Sequence, residues 1–167
     1  MSSATPLDYI KTQLTLHQPL SIIKQEKIFG FVGGAGLELI NLGYLAGGLY
    51  LLKEKIISWH LPIAFLSTLF ITALIFNAIS PDVFASPLFH IMSGGSMLCA
   101  FFIITDPVSA PTTPRGKIIF GMGIALLVFI IRIFGGYPEG IAFAVLLFNI
   151  CAPLIDSLTQ PRIFGHK

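Results

Sequence analysis

The sequence predicts an all-α integral membrane protein of about five transmembrane segments, one of them broken or reduced to a half-helix. Three observations carry that expectation. The 167-residue chain is 54% apolar and only 11% charged, whereas soluble domains are about one-quarter charged. Its apolar residues gather into long runs, near the roughly 20 residues a helix needs to cross a bilayer. Between two such runs lies Thr105-Asp106-Pro107-Val108-Ser109-Ala110-Pro111-Thr112-Thr113-Pro114-Arg115-Gly116. That oxygen-rich stretch cannot cross hydrocarbon and is expected to turn at a membrane face. A formal charge of +2 gives no reason to expect a nucleic-acid partner.

Residues 1–29 form a polar leader, residues 30–158 hold the five segments, and residues 159–167 form a tail. Met1–Gln25 does not have the basic start and apolar core of a cleavable signal peptide, so none is expected. The first segment, Gly30–Leu52, is rich in glycine, and Gly43 with Gly47 has the small-xxx-small spacing that lets helices approach closely. The second, Ile56–Ile79, stops at Ser80-Pro81-Asp82. The third region, Val83–Ile104, is broken by Pro87, His90 and Ser93-Gly94-Gly95-Ser96, and reads as a half-helix or kinked lead-in followed by Met97–Ile104. Irregular backbone at membrane depth survives only where protein or a watery cavity covers it. Gly94 and Gly95 are therefore expected to face protein. The fourth segment is Ile118–Phe134, and the fifth is Ile141–Leu158, interrupted at Asn149 and Pro153.

Five crossings place Lys53, Lys55, Arg115, Lys117, Arg162 and Lys167 on one side, against Lys11, Lys24, Lys27 and Arg132 on the other. The short loops of the first side and its tail are basic, so the positive-inside rule puts them in the cytoplasm and the leader outside.

Several polar residues stand out. Glu38, inside an apolar run, is costly unless paired or hydrated, and reads either as a functional group or as an interfacial one. Arg132 could pair with Glu139 or a carbonyl, or hold an anionic ligand. Asp106 caps the turn before Pro107 or meets a cation or a flavin amide. Asp156 with Arg162 resembles an interfacial pair. His60 and His166 read as interface or tail residues. His90, beside the Ser-Gly-Gly-Ser break, is either a satisfied helix-end histidine or a functional one. Cys99 and Cys151 read as buried small apolar residues. No hydrolase triad, HExxH site or P-loop is present, so no catalytic or metal-ligating residue is assigned. The residues alone point to a small membrane-embedded transport or redox subunit.

Five stretches narrow this. Ala100–Val108, Thr112-Thr113-Pro114-Arg115-Gly116, Ile131-Arg132 with Gly135-Gly136-Tyr137-Pro138, Ala142–Leu147 and Pro153-Leu154-Ile155-Asp156 resemble the C-terminal half of the RnfD/NqrB family of membrane proteins. RnfD belongs to the Rnf ion-translocating electron-transport complex, and NqrB to the sodium-translocating NADH:quinone reductase. The resemblance implies one repeat of a urea-transporter-like fold in a bacterial inner membrane, with the leader periplasmic and the C-terminus cytoplasmic. It also implies electron transfer between ferredoxin and NAD coupled to sodium or proton movement, with other Rnf-type proteins as partners. The other membrane repeat would come from another chain.

In the family, the segment before this repeat carries a flavin-attachment motif, Asp-Gly-x-Ser-x-Ala-Thr, whose last threonine a flavin transferase joins to the phosphate of FMN. Ser2, Ala4 and Thr5 match its second half, so the resemblance implies covalent FMN on Thr5; the motif's Asp and Gly would precede Met1. A second departure is Ser93-Gly94-Gly95-Ser96-Met97, where the family commonly reads Ser-Gly-Ala-Thr-Met. Two alternatives are a passive channel or solute carrier lined by Glu38, Asn41, His90 and Asn149, and an inactive truncated fragment.

Overall fold

The computed structural model describes residues 5–15, 36–81, 83–137 and 139–161, and all regular structure among them is helical. In chain order the helices are α1 (Pro6–Thr15), α2 (Leu37–Lys53), α3 (His60–Ile79), α4 (Pro87–Met92), α5 (Ser96–Leu98), α6 (Pro114–Phe134) and α7 (Ile141–Thr159). A π-helical turn, Cys99–Ile103, continues α5 directly.

Three of these, α3, α6 and α7, are long and apolar enough to cross a membrane. Of the five expected segments, one of them broken, three are thus helices of spanning length among the described residues. The first expected segment appears as α2, 17 residues long, and its glycine-rich start at residues 30–35 lies outside the described part. The third region is in two pieces, as its composition predicts, with Ser93-Gly94-Gly95 between α4 and α5.

Local chemistry sets the boundaries. Ser86 and Thr113 cap α4 and α6 by accepting the Phe89 and Gly116 amides at 3.3 and 3.0 Å. A proline follows each cap at the first helical position, where its missing N–H costs nothing. The second helix of the expected five starts at His60 rather than Ile56, because Lys55 takes a left-handed turn at φ 57°. The fourth starts at Pro114 rather than Ile118, the last three residues of the polar stretch and Lys117 having joined it. In α7 the helix runs unbroken through Asn149 and Pro153, contrary to the expected interruption. One missing backbone donor leaves the rest of a helix's ladder in place, and membrane helices tolerate that loss where neighbours or local adjustment satisfy the freed carbonyl.

The core runs along the contact of α3 with α6, the most extensive in the molecule. Leu61, Phe65, Leu69 and Ala73 recur every four residues on α3 and face Phe120, Ile124, Val128 and Phe129 of α6. Gly121 lets the two backbones approach: a Cβ there would lie 3.1 Å from both the Ala64 Cβ and the Leu61 carbonyl oxygen. Cys99 is buried in this core, whereas Cys151 is exposed, contrary to its expected burial. Only 28–39% of the residues in each spanning window are buried within the chain, so apolar surface faces outward along all three helices. Lipid tails are as apolar as leucine, so close fit rather than water exclusion holds such a bundle together.

The π turn serves that fit. Its bond runs from the Ile104 amide to the Cys99 carbonyl at 3.0 Å, five residues apart. Phe101 and Phe102 from this turn meet the glycine face of α2. A Cβ on Gly48 would fall inside the Phe101 ring, 2.7 Å from the Phe101 Cβ, and one on Gly47 would lie 3.2 Å from the Phe102 ring. Gly43, expected to pair with Gly47 as a close-approach position, has nothing within 4 Å of its would-be Cβ. Gly48→Leu should therefore lower the detergent melting temperature of the full chain by several degrees, corresponding to about 1–3 kcal/mol of overpacking. Gly43→Ala should leave it within one degree. Equal melting temperatures for the two variants would refute the proposed packing.

Candidate functional site

The break between α4 and α5 opens backbone groups that a continuous helix would satisfy, and Arg132 closes it. Arg132 lies near the C-terminal end of α6 and is 5% exposed. Its Nη1 donates to the His90 carbonyl at 2.8 Å, and its Nη2 donates to Ser96 Oγ at 2.9 Å. Nε and Nη2 both reach Glu139 Oε1, at 3.2 and 2.9 Å, and Nη2 also reaches Oε2 at 3.0 Å. Glu139 in turn accepts the Gly95 and Gly140 amides at 3.2 Å each. Ser96 Oγ donates to the His90 carbonyl at 2.8 Å. The ion pair thus joins both sides of the break to the α6–α7 link.

Gly94 sits against this network at φ 63°, the left-handed region that favours glycine. A Cβ there would collide with the Glu139 carboxylate, and would lie 2.8 Å from Leu7 and 3.0 Å from Arg132. The expectation that Gly94 faces protein holds.

The leader helix α1 seats on the same end of the bundle. Leu7 and Ile10 are buried with Ala85 and Phe89 in a small cluster of their own. Lys11 Nζ donates to the carbonyls of Ile131, Arg132 and Tyr137 at 3.3, 3.3 and 2.8 Å. Cationic groups at a helix C-terminus are favourable to its dipole. Desolvation lowers the Lys11 pKa below the ordinary lysine value. Thr5 is exposed and heads α1, its Oγ1 accepting the Asp8 amide at 3.3 Å. Since α6 rises about 1.5 Å per residue, Thr5 and the basic Arg115–Lys117 turn lie at opposite ends of the bundle.

Between leader and break lies a cavity of about 390 Å³ lined by residues that include Lys11, Phe84, Phe89, His90, Arg132 and Phe134. His90 is 2% exposed, and neither ring nitrogen has a protein hydrogen-bond partner; the buried Ser93 hydroxyl also has none. His90 is thus not the satisfied helix-end histidine that its position suggests, because buried polar atoms are normally paired. Its ring packs 5.5 Å from that of Phe129.

The remaining candidates scatter. Glu38 lies in the first turn of α2, half-buried, where a carboxylate suits the helix dipole. Asn41 is buried and donates to the Met92 carbonyl at 2.7 Å, which ties α2 to the break. His60 stacks on Trp59 at 4.0 Å. Asp106 accepts the Ser109 hydroxyl and amide at 2.8 and 3.1 Å, which hold its carboxyl below the usual range. The expected partner of Asp156, Arg162, lies outside the described residues, as does His166. Asp156 accepts the Thr112 and Thr113 amides at 2.9 and 3.3 Å. That clasp, from the end of α7 to the start of α6, carries no local sequence signal. Of the four residues suggested to line a polar path, His90 lines the cavity beside the break.

Comparison with known proteins places this geometry. Residues 1–165 match the profile of the NQR2, RnfD, RnfE family. The chain is 56% identical over 168 residues to the D subunit of the ion-translocating oxidoreductase complex of Yersinia enterocolitica serotype O:8 / biotype 1B, covering 100% of this chain and 48% of that protein. The proteins of the same description from Aeromonas hydrophila subsp. hydrophila and Vibrio vulnificus are 51% and 53% identical, with 48% and 47% of their lengths covered and 100% and 99% of this chain. The chain thus spans about half the length of these relatives.

Removing one partner of a buried ion pair costs about 3–5 kcal/mol. Arg132→Met should therefore abolish a monodisperse peak in detergent chromatography, while Glu139→Gln, at the half-exposed partner, should only lower the melting temperature. Gly94→Leu should behave as Arg132→Met does. Normal yield and melting of either Arg132→Met or Gly94→Leu would contradict the closure of the break described here.

Proposed function

The chain belongs to the NQR2, RnfD, RnfE family, and from that premise we propose that it is a membrane component of an electron-transport complex coupling flavin-mediated electron transfer to ion translocation. In this reading the electrons pass between ferredoxin and NAD, and sodium or protons move across a bacterial inner membrane. The segments from α2 to α7 form one five-element repeat of a urea-transporter-like fold, with α2 and the broken α4–α5 region as its shorter members. The other repeat is contributed by sequence outside this chain, and the other proteins of the complex complete the electron path. The leader faces the periplasm and the basic turns face the cytoplasm.

FMN is joined through its phosphate to Thr5 Oγ1 by a flavin transferase. The hydroxyl, giving up its proton, attacks the FMN phosphorus of a flavin dinucleotide, and the phosphoanhydride breaks to release the nucleoside monophosphate. The observation that carries this assignment is the exposed Thr5 hydroxyl at the head of a helix docked beside the cavity. A phosphoester there meets the positive end of the α1 dipole. The cavity offers phenylalanine walls for a planar ring, together with the cationic Lys11 and Arg132, which favour electron uptake. The flavin supplies the redox chemistry when bound, and the protein supplies position and electrostatics.

Co-expression of the full chain with a flavin transferase tests this. In-gel fluorescence after denaturation should appear in the unmodified chain, persist in Thr5→Ser and vanish in Thr5→Ala. Fluorescence retained in Thr5→Ala would exclude the attachment site.

A further inference from the structure

At the end of the bundle away from Thr5, the α2–α3 turn and the start of α6 enclose a groove of about 670 Å³, lined by residues that include Leu52, Lys55, Ile56, Ser58, Trp59 and Lys117. No carboxylate lines it; Glu54 is exposed but lies outside the lining. Neither the Lys55 nor the Lys117 ammonium makes an ion pair or hydrogen bond among the described residues. Two ammonium groups therefore share one groove that no carboxylate lines, an arrangement that an anion relieves. Asp106 lies in the adjoining pocket, which shares Ser58 and Lys117 with the groove, and its carboxylate is engaged by Ser109.

The groove's position and walls narrow the anion. It lies where α3 and α6, both long and apolar enough to span, reach their ends. Ile56 and Trp59 beside the lysines are 66% and 55% exposed. Tryptophan at the boundary of an apolar belt is the usual anchor at the lipid–water interface. The turn is held in place by the Lys55 amide on the Leu52 carbonyl at 3.1 Å and the Ile56 amide on the Leu51 carbonyl at 3.0 Å. Charge above and apolar surface beside it describe an amphiphile rather than a free ion.

We propose that this groove binds the headgroup of an anionic phospholipid. Lys55, Lys117 and the Ser58 hydroxyl take phosphate oxygens, and Ile56 and Trp59 meet the acyl chains. The site is separate from the flavin assignment and stands or falls without it.

The test uses the full chain in nanodiscs of phosphatidylcholine with a minor fraction of phosphatidylglycerol, the retained lipid being counted by native mass spectrometry. The expected result is selective retention of phosphatidylglycerol. Lys55→Gln with Lys117→Gln should weaken retention about 30-fold, at roughly five-fold per lysine at a membrane surface. The double arginine variant should keep it, as should Lys53→Gln with Arg115→Gln, which lie outside the groove. An unchanged melting temperature of the glutamine variant shows that the loss is one of binding. Retention that ignores headgroup charge, or survives the glutamine changes, overturns the proposal. Displacement of the lipid by millimolar inorganic phosphate alone would overturn the lipid assignment in favour of a free-anion site.

Discussion

A backbone in hydrocarbon has no water to turn to, and each unpaired amide or carbonyl there costs several kcal/mol. The interruption at Ser93-Gly94-Gly95 is therefore the feature the rest of the chain must accommodate. The Arg132 guanidinium does so, spending its donors on the His90 carbonyl, the Ser96 hydroxyl and Glu139. Glu139 takes the Gly95 amide from the opposite side of the gap. A cation in the gap of a discontinuous helix is a familiar arrangement in transporters, where the ion is often cargo. Here the positive charge is covalently part of the protein. The His90 carbonyl and the Ser96 hydroxyl are thus engaged by a resident cation, while the Ser93 hydroxyl and the His90 ring nitrogens are left without a protein partner.

Much of this architecture could be read from residue types. The apolar runs marked α3, α6 and α7, and the Ser-Gly-Gly-Ser string marked the discontinuity, because two adjacent glycines flanked by serines weaken a helix at that point. The Arg132–Glu139 pairing was one of the options their closeness in sequence suggested. What escaped notice depends on contacts between distant parts of the chain. Asp156 reaches back 44 residues to Thr112, and nothing near either residue announces it. The glycine face of α2 was visible, but which glycines were used was not. That choice depends on the π turn, which swings Phe101 and Phe102 onto Gly48 and Gly47. Periodicity was of little help, since the lipid-facing and core-facing sides of these helices are equally apolar. The proline in α7 misled for the opposite reason: a local breaker signal was outweighed by the remaining hydrogen bonds of a long helix.

The two ends of the bundle have different characters. One end concentrates interlocked polar groups: the guanidinium and its carboxylate, the Lys11 ammonium on three carbonyls, and a buried imidazole. The other end carries Lys55 and Lys117, whose ammonium groups have no partner among the described residues, and a turn held by Asp156 and Asp106. Most polar groups of the first end are satisfied within the chain, so it behaves as a built site; the second behaves as a surface awaiting its surroundings. The outward apolar faces of α3, α6 and α7 lie between them, suited to lipid tails or to neighbouring helices.

The seat of the leader also has a temporal side. Lys11 is anchored on carbonyls that follow it by 120 residues or more. At synthesis rates of about 5–20 residues per second, roughly 6–25 seconds separate the appearance of the lysine at the ribosome from that of its acceptors. Throughout that interval the lysine lacks its carbonyl acceptors, although the apolar partners of the same helix, Ala85 and Phe89, are made earlier. Docking then ties the start of the described chain to the link between its last two helices, so the lysine seat is completed only after nearly the whole chain has been made.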